Sequence, residues 1–274
     1  MKLKGRFEGL TINLNKTKKL KMNVMKKIIV LLISFIGLIF IDASAQDKVV
    51  LLDISHEDKS AYLNVSPDIF NDYRDVVENQ LGAKLIMNED QVIDSDMLEK
   101  TDVLILLSSL STNPVKSTRS SAEINSIVNF VKNGGRVIIF TDEDRRVDIE
   151  AFGANEIVRP FGMEFGDDLP GISNVGAISF IGEVIKGRYE LPYSGSRELT
   201  GGIPISVKDA EGGHVHGAYV QLDNGGKIAA FGETMVGLFI GGVSFQRPGG
   251  DPFQWKGKDN KQFMKELIAW TLKD

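Results

Sequence analysis

The residues able to do chemistry in this 274-residue chain fall into five short clusters. Asp53, Ser55 and His56 stand together, Ser108 precedes Ser109, and Thr141-Asp142-Glu143-Asp144 is an acidic run. His214 and His216 lie two apart, and Glu233 precedes Thr234. Carboxylates crowded near an imidazole suit general acid and base work, because crowding raises one carboxyl pKa while the imidazole titrates near neutrality. His56, Asp142, Glu143 and Glu233 are therefore candidate catalytic residues, with Asp53, Ser55, Ser108, Ser109 and Thr234 as candidate ligand-binding residues. Polar residues also finish strands wherever backbone meets water, which describes Ser108, Ser109 and Asp144 equally well. His214-Val215-His216 sets two imidazoles on one face of a strand, and with Glu233 or Asp142 they could hold zinc or another divalent ion. The same spacing describes two exposed edge-strand histidines. Asp142-Glu143-Asp144 lacks the spacing of a calcium loop. Trp255, with Phe245 and Phe253 on a Gly-rich stretch, either stacks on a sugar ring or anchors its loop to the core. Arg145 and Arg146 suit an anionic group or form an ordinary surface pair.

The elements around these clusters read as one α/β sheet. Ser120 to Arg146 is the clearest part: a serine cap with Glu123 behind it opens a helix whose Ile124, Ile127, Val128 and Val131 recur at helical spacing. Gly134-Gly135 stops it, and Val137 to Phe140 is apolar at every position, as in a parallel strand covered on both faces. Val49 to Leu52 and Val103 to Leu107 have the same design and end in Asp53 and Ser108. Ser66-Pro67 predicts a helix cap and first position, with Ile69 to Leu81 on one face and Gly82 as the stop. A strand is expected over Ala83 to Met87, a short capped turn or helix over Asp94 to Leu98, and a last helix over about Asn260 to Leu272. Residues 147 to 204 predict loops and short strands over one end of the sheet. A hairpin follows, with His214 to Leu222 and Lys227 to Phe231 around Asp223-Asn224-Gly225-Gly226. Pairing Leu222 with Lys227 would continue to Ala218 with Phe231 and His216 with Glu233, letting all three histidines converge, and a one-residue slip would break this. The expected fold is doubly wound and flavodoxin-like, with a mostly parallel sheet, helices on both faces and a C-terminal antiparallel hairpin. Ligands of such sheets bind beyond the carboxyl ends of the strands, where all five clusters lie.

Composition bounds the setting. Met25-Lys26-Lys27, the fourteen mostly apolar residues Ile28 to Ile41, and Ala43-Ser44-Ala45 predict a signal peptide cleaved before Gln46. The apolar run is shorter than the ~20 residues of a membrane span. Residues 1–24 read as an upstream extension, 25–45 as the signal peptide and 46–274 as a single domain exported to the periplasm or beyond the cell. Residues 46–274 hold 23 basic and 35 acidic residues, a formal charge of −12 that disfavours nucleic acid. The absence of cysteine removes disulfides, thiolate metal sites and a thiol nucleophile.

The layout resembles the class I glutamine amidotransferase-like superfamily, and more closely its non-amidotransferase branches. Those include ThuA-like trehalose-utilisation proteins and domains related to gliding and intraflagellar-transport components. The resemblance rests on Asp53 and His56 after the first strand, Asp102-Val103-Leu104-Ile105, the helix end Phe130 to Gly135 with its following strand, Gly232-Glu233, and the helix carrying Trp270. The family implies a cysteine on the turn after residues 136–140, and a His with a Glu near the end of the last strand. Here the turn holds Thr141, Asp142 and Glu143, and no His follows Glu233, so glutaminase chemistry is set aside. The resemblance leaves a module binding a small ligand such as a carbohydrate, a ThuA-like enzyme acting on a sugar or related polar substrate with acid/base or divalent-metal help, and an envelope scaffold.

Overall fold

Runs that are apolar at every position become strands buried on both faces, and their alternate side chains feed two separate cores. The computed structural model describes residues 48–109, 117–169, 177–191, 195–208, 213–241, 244–246, 252–254 and 259–273. In chain order these form β1 (Val49–Asp53), α1 (Lys59–Val65), α2 (Ile69–Arg74, prolonged by a π-helical turn Asp75–Gln80), β2 (Lys84–Asn88), α3 (Ser95–Leu98) and β3 (Val103–Leu107). There follow α4 (Ser121–Lys132), β4 (Arg136–Phe140), α5 (Ile149–Phe152), α6 (Ala154–Val158), β5 (Glu164–Leu169), β6 (Ala177–Ser179), β7 (Glu190–Leu191) and β8 (Ser196–Thr200). The remainder is β9 (Ile203–Lys208), β10 (Val215–Gln221), β11 (Lys227–Phe231), α7 (Met235–Leu238), the small ribbon β12 (Ser244–Gln246) and β13 (Pro252–Gln254), and α8 (Asn260–Leu272).

The main sheet runs β2-β1-β3-β4-β11-β10-β9-β6-β7. It is parallel from β2 to β11 and antiparallel from β11 outward. Val50, Leu52, Ile138, Phe140 and Phe231 pack with α2 and α8 on one face. Leu51, Leu104, Ile139 and Ala230 pack with α4 and α6 on the other. This is the doubly wound α/β arrangement with helices on both faces. The Ser120 hydroxyl accepts from Glu123 N at 3.2 Å and so caps α4. Ser120→Ala should cost about 1 kcal/mol, read by urea denaturation; an unchanged midpoint would show the cap to be idle.

Three expectations change. Ser66 does not start a helix: it closes α1, an element the sequence did not suggest, by donating its N–H to Tyr62 O, and α2 begins at Ile69. Residues 147–204 do more than cover one end of the sheet, because β6 and β7 extend it and β5 and β8 form a separate antiparallel ribbon. The hairpin register is also one residue away from that expected. Gly217 faces Phe231 and Gln221 faces Lys227, so Leu222 closes on Gly226 instead. The reason lies in the turn, where Gly225 takes φ +89°, a conformation costly for a residue with Cβ, and the loop closes over three residues. Asn224 pins this turn by donating to Lys132 O at 2.6 Å, at the end of α4.

Candidate functional site

The carboxyl ends of β1, β3, β4 and β11 lie side by side, and the predicted residues gather there in two buried clusters. Neighbouring strands are ~4.8 Å apart, so the tips of β1 and β4, two strands apart, are separated by ~10 Å.

The first cluster stands on β1. Asp53, fully buried, accepts from Ser55 Oγ and Asn88 Nδ2, both at 2.8 Å, and from Arg119 Nη2 at 2.6 Å. Arg119 Nη1 reaches Glu123 Oε1 at 2.9 Å. The Glu123 carboxylate in turn faces His56 Nε2 at 2.9 and 3.0 Å and accepts from Ile93 N. His56 Nδ1 lies 3.0 Å from the Ser117 carbonyl and 2.9 Å from the Ser117 hydroxyl. The Arg119 guanidinium also covers the Phe152 ring. Burial works against the Glu123 charge, but the His56 hydrogen bond and the Arg119 charge together hold its pKa below the ordinary value. Beside this network, Glu57 accepts from Ser109 N at 2.8 Å, and burial pushes its pKa up.

The second cluster joins β4 to β11. Asp142 is fully buried and accepts from Glu143 N at 2.9 Å, Thr234 N at 3.1 Å and Arg146 Nη1 at 3.1 Å. Its carboxyl shares a hydrogen bond with that of Glu233, also fully buried, and Arg146 lies 3.9 Å from the latter. Desolvation raises the Asp142 pKa to about 6, against the pull of Arg146 and of the Glu233 hydrogen bond. Thr234 Oγ1 donates to Ser108 O at 2.6 Å and ties β3 to β11. Glu143 is held by Arg145 and Arg146, and Arg197 donates to Asp142 O while pairing with Asp144. The hydroxyls of Ser108 and Thr141 are buried with no hydrogen-bond partner among the described residues.

The structure thus brings Asp142, Glu143, Glu233, Thr234 and Ser108 together, and separately Asp53, Ser55 and His56, with Ser109 held by Glu57 between them. The three histidines do not converge. His56 belongs to β1 and His216 to β10, four strands away or ~19 Å. With the corrected register His216 faces Gly232, whose N–H it accepts, and its Nδ1 lies 2.9 Å from Ser206 Oγ. A bulge in the β9–β10 pairing at this point offsets it from His214, which is half-buried. No three His, Asp or Glu side chains form a metal-binding set among the described residues, so His214 and His216 do not make the expected ion site there. Trp255 lies outside the described residues.

Sequence reading missed Arg119 and Glu123, the centre of the first cluster. Glu123 was legible as half of a capping box, and its N–H does bond Ser120, but its side chain turns inward to His56 and Arg119. The overlooked signal is position: Glu123, Ile127 and Val131 fall at spacing four on the buried stripe of α4. A carboxylate on an apolar stripe requires a buried partner. Arg146, read as an anion site or surface residue, is instead the cation of the second cluster.

No family model matches the chain, and no curated protein sequence matches it. Among solved structures it is similar to the mmIFT52 N-terminal domain, at 12% identity and TM-score 0.57, over 83% of this chain and 98% of that one. A ThuA-like protein from Bacteroides uniformis matches at 13% identity and TM-score 0.46, over 84% of this chain and 94% of that one. The exo-beta-1,4-mannosidase Op5Man5 from Opitutaceae bacterium strain TAV5 matches at 12% identity and TM-score 0.47. That match covers 82% of this chain but 35% of the mannosidase. Identities this low speak to fold alone, and the fold is one the chain shares with the mmIFT52 N-terminal domain over nearly the whole of that domain.

Proposed function

We propose that this chain is an exported amidotransferase-like α/β domain without thiol chemistry, and that it binds a small polar ligand, with carbohydrates the first class to screen. The ligand sits over the tips of β1 and β3. The observation that carries this reading is the order of the sheet. The β1-to-β2 connection, through α1 and α2, packs on one face, and the β3-to-β4 connection, through α4, packs on the other. Between strands whose connections leave to opposite sides, a crevice opens at the carboxyl ends. His56, Glu57, Ser108 and Ser109 follow these two strands and are buried at this edge, with the Arg119 network beside them, so a ligand reaches them where the edge opens. Because His56, Asp53 and Asp142 are already bonded within the protein, they support a rigid binding surface better than a free nucleophile or base.

A saturable sugar, sugar acid or polyol should raise the unfolding temperature. At a hundred times its Kd a ligand adds ~2.7 kcal/mol, or roughly 5–10 °C for a domain of this size. The shift should vanish in Glu57→Gln with Ser108→Val. A panel in which nothing at 10 mM moves the melting curve would remove this reading.

One observation favours a second reading, an acid/base enzyme: the Asp142–Glu233 pair, with Asp142 raised to about 6, resembles two carboxyls sharing a proton. Glycosidic cleavage needs its two carboxyls ~5–9.5 Å apart, and a hydrogen-bonded pair is too close for either stereochemical course. Any chemistry at this pair is therefore proton transfer by a dyad, not a two-sided attack on a sugar ring.

A further inference from the structure

We infer that Ser108 Oγ, Thr141 Oγ1 and Arg119 Nε together bind one neutral hydroxyl oxygen, that of a buried water or of a polyol reaching in at the strand tips. Only occupation by a polyol rests on the reading above.

Strand alternation sets the three groups on one face of the sheet. Leu51, Leu106 and Ile139 point into the second core, and two residues further along the same strands come Asp53, Ser108 and Thr141. The ladder continues that far, with Ser108 N donating to Phe140 O and Thr141 N to Phe231 O. Leu107 pairs with Phe140, which makes Ser108 and Thr141 neighbours. Asp53 stands beside Leu106, one layer of side chains below Ser108. Arg119 lies over this face, its guanidinium on the Phe152 ring of the second core and bonded to Asp53. Ser108 and Thr141 are fully buried and Arg119 is 4% exposed. The two hydroxyls and Arg119 Nε have no hydrogen-bond partner among the described residues.

One such atom is a local cost, but three that face one region describe a binding site. Buried waters make about three hydrogen bonds, to groups otherwise left unpaired. The chemistry of the guest follows from its neighbours. Arg119 Nε–H and Nη2–H leave one edge of the guanidinium side by side, and Asp53 Oδ2 takes the second. An oxygen on Nε therefore sits next to a buried carboxylate, with that of Glu123 also on this guanidinium. An anion is repelled there, and an oxygen is favoured when it carries a proton of its own. A hydroxyl meets both demands, since it accepts from Nε and exchanges hydrogen bonds with the Ser108 and Thr141 hydroxyls.

The test uses the full chain with Thr141→Val, Ser108→Ala and Thr141→Ser. Oxygen-17 relaxation dispersion of the solvent counts long-lived internal waters, and melting curves give the sign of each hydroxyl's contribution. Thr141→Val and Ser108→Ala should each lose one long-lived water and melt about 2–4 °C lower, whereas Thr141→Ser, which keeps the hydroxyl, should retain the water. A hydroxyl bonded to nothing would behave oppositely, because deleting an unpaired buried group raises stability. A higher melting temperature in both deletion variants, or a water count equal to that of the natural protein, would overturn the site. Glucose separates the two sources. Loss of the same water when glucose is added to the natural protein assigns the oxygen to a sugar hydroxyl, and an unchanged count assigns it to water. The site thus fails on the variants, and the sugar reading fails on the melting panel, independently of each other.

Discussion

Arg119→Met should be among the most damaging single substitutions in the protein, lowering stability by about 3–5 kcal/mol, or roughly 10 °C or more in melting temperature. Methionine keeps much of the bulk and the packing over Phe152, so the loss isolates charge and hydrogen bonding. Asp53 and Glu123 are 0% and 1% exposed and both rely on this guanidinium, at 2.6 and 2.9 Å. Without it two buried carboxylates remain near each other, with His56 alone to compensate. Breaking a buried ion pair on one side costs more than replacing the whole set. Adding Asp53→Asn and Glu123→Gln to Arg119→Met should therefore recover much of the lost stability, a non-additivity that a mutant cycle measures directly. Arg119→Lys should recover little, because one ammonium cannot fork to two carboxylates. A single Arg119→Met variant that melts within 1 °C of the natural protein would show the network to be ornamental, and would remove the claim that the binding surface is rigid.

The second large effect is one of pH. Asp142 has a folded pKa of about 6 against an ordinary value of 3.8, so its charged form is disfavoured by folding. The stabilising contribution of a raised pKa is fully present below the unfolded value and is lost as pH rises through the folded one. Between pH 4 and 7 the natural protein should lose ground relative to Asp142→Asn by up to about 3 kcal/mol, from two units at ~1.4 kcal/mol each. Denaturant midpoints of the two proteins at pH 4, 5, 6 and 7 give this difference, and groups far from the cluster cancel from it. Glu233 shares the hydrogen bond, so the titration read is that of the pair, with Arg146, Glu143 and Arg197 as the surrounding charges. Parallel curves for the two proteins would mean that Asp142 is ionised without penalty, which would also remove the shared proton on which the dyad reading depends.

These two clusters divide what was legible from what was not. The strands at Val49, Val103 and Val137 were visible because a strand covered on both faces must be apolar at consecutive positions, and Lys227 to Phe231 because the Asn-Gly-Gly turn before it marks a hairpin; both requirements are written locally. The helices Ser121–Lys132 and Asn260–Leu272 were visible for the same kind of reason, a stripe at helical spacing with a cap or stop at an end. With four strand ends placed, the polar residues after them could be assigned to one edge of one sheet, and Asp142, Glu233 and Thr234 do meet there.

What the residue pattern left open was pairing. Leu222 with Lys227 and Gln221 with Lys227 satisfy the alternation of the hairpin about equally, and the choice fell to Gly225 and to Asn224 reaching Lys132 O, a contact 92 residues away. That one-residue difference turned His216 from Glu233 to Gly232, and the distance from β1 to β10 kept it from His56 in any register. Arg119 meets Asp53 across 66 residues and His56 meets Glu123 across 67. Local pattern can state that Glu123 is buried on its helix, but only the packing of α4 against the tip of β1 decides which charges meet it. Sequence by itself determined the doubly wound class, the edge where function should be sought and the loss of thiol chemistry, because periodicity and composition act within a few residues. Tertiary structure alone decided the partners of each ionisable group, because a buried charge is stabilised by whatever is brought within about 3 Å of it, however distant along the chain.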